Sequence, residues 1–335
     1  MTSDERPTLR TIARLTGLAV STVSRALGDA PDIGADTKET VRAVAREIGY
    51  VPDRAGVRLR TGRTNVIGLV LEKQTDLINM TTRLIAALAQ GLAGTRYHLV
   101  MTPEMPDQTP LDAVKYLVET RAADALIINR TQPEDPRVAF LMERDHPFVS
   151  HGRTIWSDRH SFYDYDNEAF GRVAVERLVA CGRRSILVLA PPLDMTYARH
   201  IHEGVTRACA ALGIEPVVPE RITSDSSEAE LREHLPVLLA ANPSIDSLIS
   251  ASPNAAMIAT SVIEGAGHTL GHDFDIIAKE TVPTLKLFRP AMLSIYEDVE
   301  KAGTALARAA MLEIESNRKK RVQIVEPFID SPTGD

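Results

Sequence analysis

The chain has 335 residues, 44% of them hydrophobic and 25% charged, the composition of a globular protein long enough for two or three domains of roughly 100–150 residues. Two cysteines cannot build a disulfide framework, the N-terminal MTSDERPTLR lacks an apolar signal core, and no apolar run nears the roughly 18 residues of a membrane span, so secretion, membrane spanning and disorder are not expected. The net charge of −7 is unevenly spread: residues 1–63 carry 11 Lys/Arg against 8 Asp/Glu and the remainder 27 against 37, a small basic module (+3) joined to an acidic body (−10).

The first fifty residues read as three short helices. Thr8 is placed to cap a helix through Leu9, Ile12, Ala13 and Leu15, and Gly17 supplies the tight turn after it. Val20, Val23, Ser24 and Leu27 lie on a second helix. A third runs from about Asp36 to Ile48, with Val41, Val44, Ala45 and Ile48 inward and Gly49-Tyr50 as its stop. Residues 51–63 form a junction in which Arg54, Arg58, Arg60 and Arg63 face one acid, Asp53. Alone, such a segment is marginal as a helix; a polyanion would order it.

From Asn65 onward strands alternate with helices. The expected strands are 66–71, 97–101, 125–129, 148–151, 185–190, 246–251, 276–278 and 293–296. The helices between them are expected near 77–93, 110–120, 136–144, 167–181, 198–212, 227–241, 254–266 and 298–317. Short apolar strands alternating with amphipathic helices predict parallel sheets covered on both faces, and about 270 residues suit two doubly wound lobes better than one sheet.

These residues resemble the LacI-type bacterial transcription regulators. The resemblance is carried by Thr8 with Ile12-Ala13, the turn Gly17, Thr22-Val23-Ser24-Arg25 and Leu27, then Ile48-Gly49-Tyr50-Val51-Pro52, Leu59-Arg60-Thr61-Gly62-Arg63 and Ile67-Gly68-Leu69-Val70. It continues more loosely through Asp166-Asn167 with Gly171, Gly182-Arg183-Arg184 and the Pro290–Gly303 stretch. It implies a small all-α helix-turn-helix head (1–50), a hinge helix and linker (51–63), and an α/β body (64–335). The body would consist of two doubly wound, periplasmic-binding-protein-like lobes crossed by the chain three times. The expected N-lobe is about 64–160 plus 293–317, and the C-lobe about 161–291 plus 320–330.

By the same resemblance Val20, Ser21 and Arg25 face base edges, Arg25 offering a fork to guanine or a clamp to phosphate. Thr8, Thr22, Ser24, Arg54 and Arg58 are candidates for phosphate contacts, and Leu59 is the wedge that enters the minor groove. The chain departs from the family at Ala19 and Gly34, where a Ser cap is usual, and at Gly56, where an Ala is usual. Losing a cap to Ala costs about 1 kcal/mol and to Gly a few tenths.

A small polar effector is expected at the C-terminal strand ends, with Glu72, Arg130, Arg153, Arg199, Ser252 and Glu280 as candidate contacts. Here too the chain departs from the sugar-binding pattern: Ile201 stands where an Arg precedes Gly204, Ser252-Pro253 replaces Asn-Asp, and Ala278-Lys279-Glu280-Thr281 replaces Gly-Tyr-Asp-Asp. The resemblance therefore implies a carbohydrate or related catabolite as the default without fixing its identity. Partners are double-stranded operator DNA, the effector and a second copy of the chain, with a tetramer as the alternative to a dimer. No membrane partner and no cofactor are expected, and the location is cytoplasmic, on the nucleoid when DNA is bound.

An enzyme reading finds no catalytic site. His268, His272, Asp273 and Asp275 fall in a Gly-rich turn and are not expected to hold a metal; no P-loop or Gly-x-Ser-x-Gly is present, and Cys181 and Cys209 read as packing residues. A repressor is the first expectation. A solute-binding protein or a sugar-metabolising enzyme of the same body fold is the alternative, which the basic head opposes.

Overall fold

The computed structural model describes residues 7–51, 56, 58, 62–71, 80–103 and 107–328 and divides into two compact units at Thr64/Asn65. In the first unit α1 (Leu9–Thr16), α2 (Val20–Leu27) and α3 (Ala35–Glu47) pack around Ile12, Ala13, Val23, Ala26, Val41 and Ala45. Thr8 and Thr11 form a capping box, Thr8 N donating to Thr11 Oγ1 at 3.1 Å, and Gly17 ends α1 at φ +70°. As the departures at Ala19 and Gly34 imply, α2 and α3 start without a side-chain cap; Asp36 sits in the first turn of α3 and makes no capping bond. Of the hinge, Gly56 and Arg58 are helical and exposed.

Among the described residues of the second unit, ten strands form two wholly parallel sheets. The first orders as β10 (Gln323–Glu326), β5 (Ser161–Tyr165), β4 (Phe148–His151), β3 (Ala125–Ile128), β1 (Val66–Leu71) and β2 (His98–Pro103); the second as β6 (Ile186–Leu189), β7 (Ser247–Ser250), β8 (Asp275–Glu280) and β9 (Leu293–Tyr296). Strands β3, β4, β6 and β7 are buried along their whole length, as helices on both faces of a parallel sheet require. The first sheet is covered by α4 (Met80–Gly91), α5 (Pro110–Glu119), α6 (Pro136–Glu143) and α12 (Val299–Glu315). The second is covered by α7 (Asn167–Ala180), α8 (Thr196–Ala211), α9 (Glu228–Ala241), α10 (Pro253–Gly265) and the short α11 (Leu285–Phe288).

Glycines set the closest helix contacts in both lobes. Gly204 of α8 lies against the Glu168 carbonyl and Gly171 of α7 against the Ile201 carbonyl, while Gly303 of α12 meets Ala87 of α4 and Gly91 meets Ala307. A Cβ at any of the four would overlap its neighbour.

The lobes divide differently from the expected segments. Hydrogen-bond register sets Ser161 beside Val149 and Gln323 beside Phe162, so β5 and β10 belong to the first sheet; Leu293 pairs with Ile277, so β9 belongs to the second. The stretches 161–165 and 323–326 thus move out of the expected C-lobe and 293–296 out of the expected N-lobe, while α12 packs on the first sheet. The chain passes between the lobes three times: between Tyr165 and Asn167, between Tyr296 and Val299, and after Glu326, where Phe328 returns to the second sheet's core. Strands β5 and β10 and helix α11 were not expected. Cys209 is buried, but Cys181, read as packing, is exposed beyond the end of α7.

Candidate functional site

On the head, Val20, Ser21 and Arg25 are exposed on α2, with Thr22 and Ser24 half-buried beside them. The N-terminal turn of α2 is thus an exposed polar and apolar surface on a helix, the kind of element a major groove admits. Arg25 forms an ion pair with Asp32, and Asp29 takes Lys38 at 3.1 Å and Arg42 at 2.7 Å, so these three cations are held by the head's own acids. The Thr8 hydroxyl serves the α1 cap. Arg58 is exposed; Arg54 and Leu59 lie outside the described residues, as does Glu72.

In the body, both sheets end at one cavity of about 170 Å³. Its walls come from the C-terminal ends of strands: Val70 and Leu71 of β1, Arg130 after β3, His151 of β4, Asp164 and Tyr165 of β5, Ser252 after β7, Lys279 and Glu280 of β8, and Glu297 after β9. Strands β1 and β3 are neighbours although β2 lies between them in sequence, and such a switch point leaves a crevice beyond the strand ends.

Charges in this cavity are paired. Lys279 Nζ lies 2.8 Å from Glu297 and donates to Asn167 Oδ1 at 2.9 Å, with the Tyr165 ring 5.1 Å away. Arg130 meets Asp225 at 2.8 Å across the cleft, its guanidinium 5.8 Å from the Tyr197 ring. Glu280 accepts the amides of Thr284 (3.0 Å) and Leu285 (3.1 Å), fixing the start of α11. Ser252 caps α10 through the Ala255 amide at 3.3 Å. Arg130 sits at φ +54°, a left-handed conformation rare for a bulky residue; Arg137 holds its carbonyl at 3.0 Å and Asn129 Oδ1 takes its amide at 2.9 Å.

Further bonds join the lobes beside Arg130: Thr196 N donates to Thr131 O at 2.9 Å, Gln132 Nε2 to Asp194 at 3.2 Å, and Arg153 reaches His200 Nδ1 at 3.1 Å. His151 Nδ1 is buried with no partner among the described residues, and burial holds its imidazole below the ordinary value.

Of the expected effector contacts, Arg130, Ser252 and Glu280 line the cavity together. Arg153 and Arg199 do not. Arg153 is spent on Asp164 at 2.7 Å and on His200 behind the wall, while Arg199 turns outward and donates to the Leu193 carbonyl at 2.8 Å. Sequence reasoning missed Asp164, Asn167, Asp225 and Glu297; Lys279 and His151 stood in the expected strand ends without being singled out. His268 pairs with Asp273 at 2.9 Å and packs on Phe274, a turn-fixing contact.

Burial pushes the Asp164 carboxyl up to about 6, more than the Arg153 guanidinium pulls it down. The folded body therefore binds this proton more tightly than the unfolded chain does. Its contribution is full below pH about 4 and lost as pH rises through about 6. His151 and His200, lowered by burial, contribute in the opposite sense, full above pH about 6.5 and lost on acidification. Comparison with Asp164→Asn isolates the carboxyl: the stability difference, wild type minus variant, is expected to grow by about 2.5 kcal/mol from pH 8 to pH 4. Urea unfolding at a series of pH values measures it; a pH-independent difference would refute the assignment.

Comparisons with known proteins agree with this division. Residues 8–53 match the model of the bacterial regulatory proteins of the lacI family, and residues 64–329 that of the periplasmic binding proteins and sugar binding domain of the LacI family. The chain is 27% identical over 329 residues to the HTH-type transcriptional regulator CelR of Thermobifida fusca, covering 96% of this chain and 95% of that one. It is 31% identical to AglR of Rhizobium meliloti over 86% of this chain and 81% of AglR. Among solved structures, a transcriptional regulator CelR–cellobiose complex aligns with TM-score 0.69 at 25% identity over 96% of this chain and 97% of that chain. The Lac repressor dimer bound to operator and the anti-inducer ONPF aligns at TM-score 0.80 and 21% identity, covering 96% of each chain, a likeness of fold.

Proposed function

The chain belongs to the LacI family of bacterial regulatory proteins, and from that premise we propose that it is a cytoplasmic repressor that binds a palindromic operator as a homodimer under the control of a carbohydrate in the interlobe cavity. The observation that carries this reading is the cavity itself: polar groups from both lobes converge on it, and the bridges beside it join the lobes directly. A ligand that replaces Asp225 as the partner of Arg130 changes the closure of the cleft. Lobe closure in turn moves the N-lobe against the segment leading to the head. In this reading Asn167, Lys279 and Glu297 hold the effector with Arg130, Ser252 and Glu280, and Arg153 keeps Asp164 in place. The family's sugar-binding domain and the cellobiose-bound CelR support a carbohydrate as the ligand class.

In the head, residues 1–50, Val20, Ser21 and Arg25 would read bases, while Thr8, Thr22 and Ser24 with the hinge residues Arg54 and Arg58 would hold phosphates and Leu59 would wedge the minor groove. Arg25 must then exchange Asp32 for a base edge or phosphate. Duplexes selected by the full chain from a random pool test this. Arg25→Ala is expected to weaken binding to the selected duplex by about 1–3 kcal/mol per half-site, and cellobiose, maltose and raffinose added in turn identify the effector class by the change in affinity. Equal affinity of the chain for all duplexes, or an unaltered Arg25→Ala, would overturn the reading.

A further inference from the structure

The acidic body concentrates positive charge at one end of its first sheet. All strands there run parallel, so the loops that lead into them share one end. The loop from α12 into β10 carries Arg318-Lys319-Lys320-Arg321, and the loop into β5 carries Arg159. Arg159, Arg318 and Arg321 line one small hollow above the buried Glu313, whose carboxylate accepts the Ser161 hydroxyl. Asp145 takes up Arg318. Among the described residues no carboxylate lies within the 4.0 Å of an ion pair from Lys319, Lys320, Arg321 or Arg159, and all four are exposed.

The display is built. Asn317 and Arg318 both take left-handed conformations, φ +49° and +60°, locked by Arg318 N to Glu313 O at 2.9 Å and Lys320 N to Ser316 Oγ at 3.3 Å. Attraction of cations to the C-terminus of α12 fades within its last turn. That accounts for Arg318 but not for the three cations beyond it. The chain also enters the body at this end: Asn65, at the start of β1, donates its amide to Asp124 at 2.8 Å. Strand β10 is four strand spacings from β1, about 19 Å at 4.8 Å each, less than one turn of duplex.

We infer that Arg159, Lys319, Lys320 and Arg321 form a second DNA contact, on the body, for the phosphate backbone of duplex beyond the bases the head reads. The inference rests on the reading of the head as DNA-binding. Net negative charge over the rest of the body repels a duplex from its other faces, so the same distribution gives both attraction and direction.

The test uses the full chain and a 40-base-pair duplex of random sequence, with affinity measured by fluorescence anisotropy across a salt series. Each phosphate contact adds about 0.9 to the slope of log affinity against log salt. The triple variant K319Q/K320Q/R321Q is expected to lose about 2–3 from that slope per protomer, while R172Q/R207Q/R232Q, with the same charge change on exposed helices of the second lobe, keeps the wild-type slope. Should the triple variant melt early in circular dichroism, K319Q/K320Q replaces it, with an expected loss of about 2. An unchanged slope, or an equal change in both triples, overturns the body contact and leaves the head reading intact. Failure of the wild type to bind any duplex overturns both.

Discussion

Arg137→Met is expected to destabilise the body by about 3–5 kcal/mol, because it strands a buried carboxylate. Asp135 and Arg137 are almost fully enclosed, with side-chain exposures of 1% and 4%. Arg137 Nη2 lies 2.7 Å from Asp135 Oδ2 and Nε 3.0 Å from Oδ1. Burial alone would raise the Asp135 carboxyl, but the guanidinium beside it and the Gln132 and Arg137 amides bring it below the usual carboxylate range. The same Nη2 holds the carbonyls of Asn129 and Arg130 at 3.0 Å, so the variant also releases the strained residue that faces Asp225. The loss should therefore appear twice, in urea unfolding and in effector affinity. Trp156, the sole tryptophan, packs against the N-lobe core and reports the unfolding directly. Asp135 also caps α6 by accepting the Arg137 amide at 2.9 Å, so the double variant Asp135→Ser/Arg137→Met keeps a capping hydroxyl, removes both charges and should recover most of the stability. A double variant as unstable as the single one would refute the buried-charge account.

Gly204→Ala should cost about 3 kcal/mol, the upper end of overpacking penalties, since the added methyl meets backbone and not a yielding side chain. Its Cβ would fall inside the Glu168 carbonyl and 3.1 Å from the Glu168 Cα. Relief requires α7 and α8 to separate, which opens the core around Phe170, Val205 and Cys209. A body of this size should lose roughly 6–12 °C in Tm. Gly265→Ala, at the end of α10 with open space around its Cβ, is the control and should stay within about 0.5 kcal/mol of wild type. Calorimetry separates the two variants, and equal midpoints would mean the helices yield more easily than their contact implies.

What the sequence made legible follows from how each element is stabilised. Strands such as β3 and β6 are wholly apolar because both faces are covered, and that signal is local. Strand β5 reads Ser-Phe-Tyr-Asp-Tyr and breaks the apolar run, because Ser161 and Asp164 are buried against partners supplied elsewhere, Glu313 and Arg153. Strand β10 is four residues long behind a basic run. Missing these two moved the lobe boundaries. At the cavity, Arg130, Ser252 and Glu280 were found because strand ends in parallel sheets converge. Arg153 stood at a similar place and Arg199 in the first turn of α8, but side-chain direction decided their roles. Asp225 lies in an irregular loop 95 residues from the arginine it meets, a pairing no local pattern encodes.

The three interlobe passages give the body the mechanics of a lever. Asp164, Tyr165, Asn167 and Glu297 stand on or beside the first two passages, at the pivot, where rotation moves atoms least. The Arg130–Asp225 pair instead bridges the separate loops after β3 and before α9, out on the arm. Under the proposed effector control, recognition at the pivot would stay stereochemically strict while travel would concentrate at the bridge, making affinity and amplitude separately adjustable. Substitutions near the passages would retune which molecule is sensed, and substitutions at the bridge how far the signal reaches.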